Sequence, residues 1–537
     1  MSFDYIIVGA GSAGCVLAHR LSEKPNTRVL LLEAGGRDWN PFIHMPAGLA
    51  KLAQFGSVNW GYYTEPEAAL GERRLYWPRG KVLGGSSSIN AMCYIRGHAA
   101  DYDAWARAGN PGWSFKQLLP YFRRAEHHVN GEDKWHGGSG PLCVENLAHH
   151  NPLSDVFIEA AITAGHPPNT DFNAGQQLGF GLYQVNQKHH RRCSTASSYL
   201  KQARGRSNLV IRTGALTERL CLDGTRVSGV HYRRRGKLYT AHATQDTILC
   251  GGAINSPQLL MLSGIGPVRD LHQHGIRGIV DLPGVGQNLQ DHLDICLIDR
   301  ARSNITYDHT NDVMIALNYW LLRRGIGTSN VAEAGGFACS RFAKTTRPDL
   351  QFHFVPAQLD DHGRNRLPGS GYTVHVCNLQ PQSRGSITLR NDDPRRAPLI
   401  RPNYLHKKRD LDVMLHGIGI AREILAAKPF AEFREFELFP GADCKTPEAL
   451  TAFIRRRAET IYHPVGTCKM GKDPAAVVDH ELRVHGVDAL RVVDASIMPT
   501  LVCGNTNAPT IAIAEKAADM ILARGQETRG AAENKAA

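Results

Sequence analysis

The chain has 537 residues, of which 42% are hydrophobic, 21% charged and 7% aromatic. These fractions are typical of a globular protein and exclude a disordered chain, and the 53 glycines follow no collagen-like three-residue period. Because single cores stop growing at about 250 to 300 residues, the length predicts two domains or one large domain with an added layer. The net charge of +12 is scattered along the chain without a recognised nucleic-acid-binding module, so no nucleic-acid partner is predicted.

The twelve cysteines occur singly, with no Cys-x-x-Cys pair, and this spacing is typical of the reduced thiols of a cytoplasmic protein. The amino-terminal segment has no basic region followed by a long apolar run, so no signal peptide is predicted. The best candidate for a spanning segment, 313–322, falls short of the about 18 apolar residues that a bilayer requires. We interpret this segment as a packed helix of a second domain, and leave peripheral contact with the inner face of the cell membrane as the alternative.

The chain opens with a βαβ pattern. A strand at 5–8 is followed by Gly-x-Gly-x-x-Gly at 9–14, a helix to about residue 22 and a strand at 29–32. Segment 247–266 predicts a strand, a glycine turn and a helix. These elements indicate a parallel sheet of the Rossmann type.

Later segments differ from these in their pattern of polar and apolar residues. Residues 490–499 form another strand of the parallel sheet, ending in an acid, whereas 351–355, 372–379 and 385–390 predict an antiparallel sheet. The fold class is therefore α/β, and α+β overall: a parallel-sheet domain joined to a substrate domain on an antiparallel sheet.

The glycine motif has the context of a dinucleotide site. Gly9 allows the turn, Gly11 lets the backbone approach a pyrophosphate, and Gly14 lets the helix pack closely on the strand. Glu33, 33 − 14 = 19 residues after Gly14, ends the second strand. A carboxylate there accepts ribose hydroxyls and repels a 2′-phosphate, which favours NAD or FAD over NADP. The continuation through Ala34 resembles FAD proteins, and no second such motif follows.

At WPRGKVLGGSSSINAMCYIRG, residues 77–97, the sequence resembles the glucose-methanol-choline family of FAD oxidoreductases. Further blocks agree in order, at 251–267, 282–293, 461–471, 491–499 and 504–521. The resemblance implies FAD as the cofactor. Its expected binding residues are Gly9, Gly11, Ser12, Gly14, Glu33, Ala34, Val82, Gly84, Gly85, Asn90, Met92, Asp494, Ala495, Asn505 and Thr506.

Within that set, the resemblance implies that Gly84 and Gly85 lie against the flavin, Asn90 contacts the isoalloxazine, and Val82 touches the ribityl chain or ring. Some family oxidases bond the flavin covalently through a histidine just before this asparagine, where the present chain has Ile89. An alkyl side chain has no nucleophile, so we expect FAD to be bound non-covalently.

The resemblance also divides the chain. We expect an FAD-binding domain from 1–155, 198–297 and 459–525, and a substrate-binding domain from 156–197 and 298–458. The remaining segment, 526–537, is polar without an apolar period and is expected to be a disordered tail.

The block IYHPVGTCKMG resembles the catalytic segment of the family, with His463 at the position of its base. Asn507 resembles the second catalytic residue, which is His or Asn among members. Hydride leaves an alkoxide far more readily than an alcohol, so we expect His463 to accept the hydroxyl proton and Asn507 to orient the hydroxyl. The histidine doublets at 127–128, 149–150 and 189–190 are interpreted as surface residues, because adjacent side chains point apart, and no metal is predicted.

The resemblance favours a dehydrogenase of medium-chain aliphatic or aromatic primary alcohols, using a quinone or artificial acceptor rather than NAD. Choline dehydrogenase is the close alternative, for which Glu333 could face a quaternary ammonium or could equally be a buried structural acid. The same fold would also serve an oxygen-using alcohol oxidase, a hydroxynitrile lyase or a non-catalytic flavin-binding protein. The sequence does not define the oligomeric state.

Overall fold

A computed structural model describes residues 2–52, 56–365 and 367–536, and the side chains of residue 50 and residues 525–536 lie outside the description. The segment expected to be a disordered tail, 526–537, has no described side chains, and its backbone through residue 536 belongs to the last helix.

The strands, numbered in chain order, are β1 (Ser2–Val8), β2 (Val29–Glu33), β3 (Tyr62–Tyr63), β4 (Tyr76–Trp77), β5 (Glu126–His128), β6 (Leu142–Val144), β7 (Gly179–Leu182), β8 (Gln187–Lys188), β9 (Arg191–Arg192), β10 (Leu209–Thr213), β11 (Ala215–Asp223), β12 (Arg226–Arg234), β13 (Lys237–Leu249), β14 (Ile265–Gly266), β15 (Val280–Asp281), β16 (Leu293–Ala301), β17 (Ala334–Ala338), β18 (Leu350–Val355), β19 (Gly371–Asn378), β20 (Ser386–Thr388), β21 (Leu399–Arg401), β22 (Arg434–Phe439), β23 (Glu459–Thr460) and β24 (Leu490–Val492).

The α-helices, numbered in the same way, are α1 (Ser12–Leu21), α2 (Pro41–His44), α3 (Leu49–Leu52), α4 (Ala99–Arg107), α5 (Phe115–Ala125), α6 (Pro152–Thr163), α7 (Lys201–Ala203), α8 (Gly252–Leu262), α9 (Val268–Gln273), α10 (Asp312–Leu322), α11 (Lys408–Ala426), α12 (Pro447–Arg457) and α13 (Asn507–Ala536).

The first sheet has the strand order β10-β2-β1-β13-β12-β11, with β24 also paired to β13. Strands β10, β2, β1, β24 and the end of β13 are parallel, whereas β11, β12 and the start of β13 form an antiparallel meander. All five residues of β2 are buried, as expected for a parallel strand covered on both faces. The parallel sheet predicted from the glycine motif is confirmed.

The second sheet is antiparallel, with the order β22-β16-β19-β18-β17-β7 and with β23 also paired to β16. Strands β18 and β19 confirm two of the three segments predicted for it. The third prediction is wrong, because β20 pairs with β21 in a separate two-stranded sheet. Its alternating pattern is satisfied by a local hairpin-like pair as well as by a large sheet.

The strands of the two sheets come mostly from the segments expected for the two domains. Strand β16 crosses the expected limit at residue 297, and β23 begins at the limit at 459, yet both belong to the antiparallel sheet. A strand is one rigid element, so we place those two limits at its ends, before β16 and after β23, and keep the domain division as a proposal.

The interpretation of 313–322 as a packed helix is wrong. The segment forms α10, but Tyr319 is the one residue of this helix that is buried. The apolar residues that predicted burial instead lie on the surface, as described below.

Candidate active site

The glycine motif forms a turn that excludes any larger residue at its first position. Gly9 has a φ of +103°, and a Cβ there would lie 2.4 Å from the carbonyl oxygen of Cys250. The loop after β4 meets this turn directly, because a Cβ on Gly85 would lie 2.7 Å from the Cα of Gly11. Two side-chain-free backbones therefore face each other where the resemblance places a dinucleotide.

Glu33 lies at the end of β2 with its carboxylate held by backbone amides. The amide of Ala10 donates to Oε2 at 2.9 Å, and that of Gly35 donates to Oε1 at 2.7 Å. Burial raises the pKa of Glu33 to about 7, although both amides act to lower it. Each oxygen keeps a lone pair that can accept a ribose hydroxyl.

These elements surround a cavity of about 380 Å³. Fourteen of the seventeen candidate site residues line this cavity. The cavity therefore brings together segments that are up to about 500 residues apart in sequence. The fourteen residues are Gly9, Gly11, Ser12, Glu33, Ala34, Gly85, Asn90, Met92, His463, Asp494, Ala495, Asn505, Thr506 and Asn507.

The other three candidates lie behind the cavity wall. A Cβ on Gly14 would lie 1.8 Å from the carbonyl oxygen of Gly9, so this glycine serves helix packing. The amide of Gly84 donates to the carbonyl of Ala10 at 2.7 Å and fixes the loop to the turn. Val82 is fully buried in a small apolar cluster. A direct contact of Val82 with the flavin stays a prediction.

Arg192 on β9 binds the loop that follows β4. This residue was not identified from the sequence. Its Nη1 donates to the backbone oxygen and to Oδ1 of Asn90, at 2.5 and 2.8 Å, and its Nε donates to the carbonyl of Ile43 at 2.8 Å. Burial lowers the pKa of Arg192 to about 9, and its Nη2 has no hydrogen-bond partner among the described residues. A guanidinium held only by carbonyl oxygens is a costly arrangement, which indicates a specific role.

His463 has a defined tautomer, set by His292. The Nε2 of His292 lies 3.2 Å from the carbonyl oxygen of Leu379, which only accepts, so this nitrogen carries the proton. The Nδ1 of neutral His292 then accepts from the Nδ1 of His463 at 3.0 Å. His463 therefore has its lone pair on Nε2, the nitrogen that a general base needs.

The surroundings of His463 disfavour its protonated form. Burial lowers its pKa well below 6.5, and His292, His353 and the guanidinium of Arg79 add to the effect. The pKa of His292 is itself lowered to about 3 by burial. The backbone amide of His463 donates to Oδ1 of Asp291 at 2.7 Å, which fixes the position of the residue.

Two asparagines reach this part of the cavity, and they have different partners. The Nδ2 of Asn505 lies 3.3 Å from Nε2 of His463, and its Oδ1 accepts from Gln351 at 3.1 Å. Asn507, at the start of α13, instead accepts from the hydroxyl of Ser12 at 2.7 Å. The asparagine whose amide donates beside the candidate base is Asn505, although the sequence resemblance pointed to Asn507.

Strands β18 and β19 contribute His353, Val355 and His375 to the cavity wall. Neither ring nitrogen of His353 has a hydrogen-bond partner among the described residues, and burial lowers its pKa to about 3. Burial also opposes charge on His375, but Asp294, with Oδ2 2.5 Å from its Nδ1, outweighs this and raises the pKa. In both strands polar residues alternate with apolar ones around the histidine, so each histidine shares one face with another polar residue of its strand. This alternation is the sequence signal that could have identified the two histidines.

The structure decides between the two interpretations of Glu333. Its side chain is buried away from the cavity lining and accepts four hydrogen bonds. The donors are the amide of Asn151 at 2.8 Å and the hydroxyls of Ser154, Tyr307 and Ser329 at 2.7, 2.6 and 2.5 Å. Glu333 is a structural acid that joins three segments.

One histidine doublet differs from its interpretation as a surface pair. His127 is exposed, but His128 is buried, with its ring stacked on His136 at 4.0 Å between centroids and its Nε2 bonded to Gln184. On β5 the two neighbours point to opposite faces, so one of each such pair can enter the core.

The fold and the site together define a dinucleotide-dependent oxidoreductase, with a nucleotide cradle and a proton acceptor in the same cavity. The chain belongs to the GMC oxidoreductase family, whose amino-terminal model matches residues 3–294 and whose carboxy-terminal model matches residues 381–514. It is an FAD-dependent enzyme that acts on CH–OH groups, and its glycine cradle and Glu33 fit the dinucleotide part of that cofactor.

The chain is 50% identical to alcohol dehydrogenase [acceptor] of Pseudomonas putida, over 97% of this chain and 96% of that protein. It is 46% identical to mitochondrial choline dehydrogenase of Mus musculus, over 97% and 89%. Among solved structures, pyridoxine 4-oxidase from Mesorbium loti matches with a TM-score of 0.87 and 36% identity, over 96% and 98%.

Proposed function

We propose that the protein oxidises neutral primary alcohols, medium-chain aliphatic or aromatic, to aldehydes. The observation that carries this proposal is the unprotonated Nε2 of His463 in a cavity without a carboxylate for a cationic substrate among its described lining residues. Near His463 the wall presents the guanidinium of Arg79, and the Asp294-paired His375 also lines the cavity. The wall acids Glu33 and Asp494 are held by backbone amides at the glycine turns.

In the proposed mechanism, Nε2 of His463 accepts the proton of the substrate hydroxyl. The Nδ2 of Asn505 donates a hydrogen bond to the same oxygen and stabilises the charge that develops there, so the role expected for Asn507 passes to Asn505. Gln351 holds the Asn505 amide in this orientation through Oδ1. FAD bound in this cavity would supply the hydride acceptor for the oxidation.

The proposed acceptor of the electrons is a quinone or another non-NAD acceptor. The 50% identity to alcohol dehydrogenase [acceptor] supports this choice. We also propose a cytoplasmic protein that contacts the inner face of the cell membrane peripherally. No helix in the described part of the chain has the length and hydropathy to cross a bilayer.

Choline is the second candidate substrate, supported by the 46% identity to choline dehydrogenase and by the aromatic rings of Trp60 and Tyr462 on the cavity wall. The position of Glu333 argues against it, because this carboxylate already accepts four hydrogen bonds outside the cavity.

The flavin absorbance of the purified enzyme, recorded anaerobically, separates the two candidates. Addition of 1-octanol or benzyl alcohol is expected to bleach the flavin within one turnover, whereas choline is expected to act much more slowly. Bleaching by choline alone would overturn the proposal. In the same assay Asn505→Ala is expected to slow reduction by about 100-fold, and Asn507→Ala by much less.

A further inference from the structure

Helix α10 presents apolar side chains to solvent in a way that the fold does not require. Leu321 is 74% exposed and Val313 64%, and Met314, Leu317, Trp320 and Leu322 are exposed as well. Monomeric proteins bury such a concentration or use it for binding. Tyr319 attaches the helix to the protein, through a hydrogen bond from its hydroxyl to the carbonyl of His44 at 2.7 Å.

Four of these side chains form one continuous face. At about 100° per residue, Val313, Leu317, Trp320 and Leu321 fall within an arc of about 100°, and Tyr319 lies on the opposite side. An amphipathic helix normally turns its apolar face inward, whereas α10 is anchored by an aromatic residue and turns its apolar face outward. We call this face, with Arg323 and Arg324 at its end, the α10 patch.

The surroundings of the α10 patch are basic. Arg324 is exposed, and the guanidinium of Arg323 lies over the ring of Trp320 at 4.6 Å. The carbonyl of Arg323 is 2.7 Å from Nδ1 of His190, in the turn between β8 and β9, where Lys188 and Arg191 are exposed. Residues 313–332 and 186–192 contain no acid.

The patch also adjoins the segment that borders the active-site cavity. Lys51 in α3 pairs with Asp312 at the start of α10, with 3.3 Å between Nζ and Oδ2. Two residues earlier in α3, Leu49 lines the cavity. Helix α3 thus links the α10 patch to the cavity wall.

We infer that the α10 patch is a docking surface for an anionic lipid bilayer. The apolar arc enters the boundary between headgroups and acyl chains, the tryptophan lies at the headgroup level, and the arginines face the anionic headgroups. This deepens the proposed peripheral membrane contact and names the surface that makes it. The exposed arginines and Lys188 match the charge of anionic headgroups, and Asp312, the one acid of α10, is paired with Lys51.

Sedimentation of the FAD-loaded enzyme with vesicles tests this inference. The wild-type protein is expected to bind vesicles of phosphatidylcholine mixed with phosphatidylglycerol, and to bind much less to phosphatidylcholine alone. Leu317→Asp combined with Leu321→Asp is expected to lower the partition coefficient by about tenfold or more. Arg324→Glu is expected to lower it by about fivefold, and less at high salt.

Leu238→Asp is the matched control, because Leu238 is also more than half exposed but lies in the β12–β13 meander. It is expected to bind vesicles like the wild type. All variants are expected to keep wild-type turnover with a soluble dye acceptor, which shows that they fold and separates this test from the proposed reaction. Wild-type protein that ignores both vesicle types, or a double variant that binds normally, would overturn the inference. So would a wild-type dimer that the double variant converts to a monomer without any vesicle binding, since a second copy would then be the occupant.

Discussion

The lone pair on Nε2 of His463 depends on the imidazole of His292 and on the carbonyl of Leu379. A proton on Nε2 of His292 leaves its Nδ1 free to accept, and this selects the reactive tautomer of His463. Burial keeps both rings neutral, because it lowers both pKa values. The site is thus ready to accept a proton at neutral pH without a carboxylate behind the base.

His463→Ala is expected to lower the rate constant of flavin reduction by about 100-fold or more, because the alcohol then loses its proton acceptor. Anaerobic stopped-flow measurement of flavin bleaching gives this rate constant directly. His292→Phe is expected to give a smaller loss, since His463 remains but its tautomer is no longer selected. A near wild-type rate in His463→Ala would refute the assignment.

We expect Glu33 to make the affinity for FAD dependent on pH. Burial raises its pKa to about 7 in the protein without cofactor, and ribose hydroxyls that donate to it would favour the charged form. FAD binding is therefore expected to lower the pKa of Glu33, so the affinity is expected to be greatest above pH 7. It falls by up to about tenfold per pH unit below that value, because binding must release the proton.

Titration of the apoprotein with FAD between about pH 8 and pH 5.5 tests this linkage. Glu33→Gln is the control, for which a weaker affinity with a flatter pH profile is expected. A wild-type affinity that stays constant across this range would contradict the proposed role of Glu33.

Loops that border the cavity are fixed by elements distant in sequence, and β9 is the clearest example. Arg192→Met keeps the length of the side chain but removes the donors to Asn90 and Ile43. The dissociation constant of FAD is expected to rise by about tenfold or more, because charge-assisted hydrogen bonds that shape its site are lost. Fluorescence titration of the apoprotein measures it.

Arg192→Lys is the companion variant. Its ammonium keeps the charge but does not reproduce the planar fork, so an intermediate affinity is expected. If both variants bind FAD like the wild type, β9 does not position the loop.

Helices α1 and α13 are joined by a buried ion pair. Glu515 accepts from Arg20 and, at 2.8 Å, from the hydroxyl of Tyr199, and its side chain is almost completely buried. Glu515→Ala is expected to lower the free energy of unfolding by about 1.5 to 3 kcal/mol, because buried Tyr199 loses its acceptor and Arg20 keeps only its more exposed partners, Glu23 and Asp519. Asp519→Ala removes a more exposed partner of the same arginine and is expected to cost at most about 1 kcal/mol. Urea denaturation of the two variant holoenzymes measures both losses of unfolding free energy. Equal losses would contradict this account.

For helices and strands, the sequence predicted the structure correctly where the residues that determine it are close together in the chain. The βαβ unit, with Gly9 and Glu33 at fixed spacing, follows from one stretch of chain, and its sheet is confirmed. Strand β20 was assigned to the wrong sheet, because alternation does not specify a partner strand. The apolar content of α10 predicted burial, yet whether an apolar face is covered depends on what the rest of the chain places beside it.

Contacts between remote segments were the part that the sequence did not predict. His292 and His463 are 171 residues apart, and Arg192 and Asn90 are 102 residues apart. Each has an ordinary local context, and its role arises only when two segments meet. The choice between Asn505 and Asn507 is of the same kind, since both occupy one short block and only the folded chain separates their partners.

At the scale of the whole molecule, one cavity joins the amino-terminal turn, the loop after β4, β13, the segment of His463 and the start of α13. A ligand that contacts all of them stabilises the fold by mass action. Free FAD at about 100 times its dissociation constant is expected to add about 2.7 kcal/mol to the free energy of unfolding of the apoprotein. Thermal unfolding at increasing FAD concentration measures this, with AMP as the control that fills only the adenine end.

A companion measurement, the release of flavin on unfolding, reports how FAD is bound. The residue before Asn90 is Ile89, which offers no nucleophile, so unfolding is expected to release FAD into the supernatant and refolding with fresh FAD to restore the flavin absorbance. If FAD is bound non-covalently, the stabilisation is expected to depend on the concentration of free FAD. Flavin that remains with the acid-precipitated chain, or an unfolding temperature that does not respond to FAD, would show that the cofactor is attached in another way.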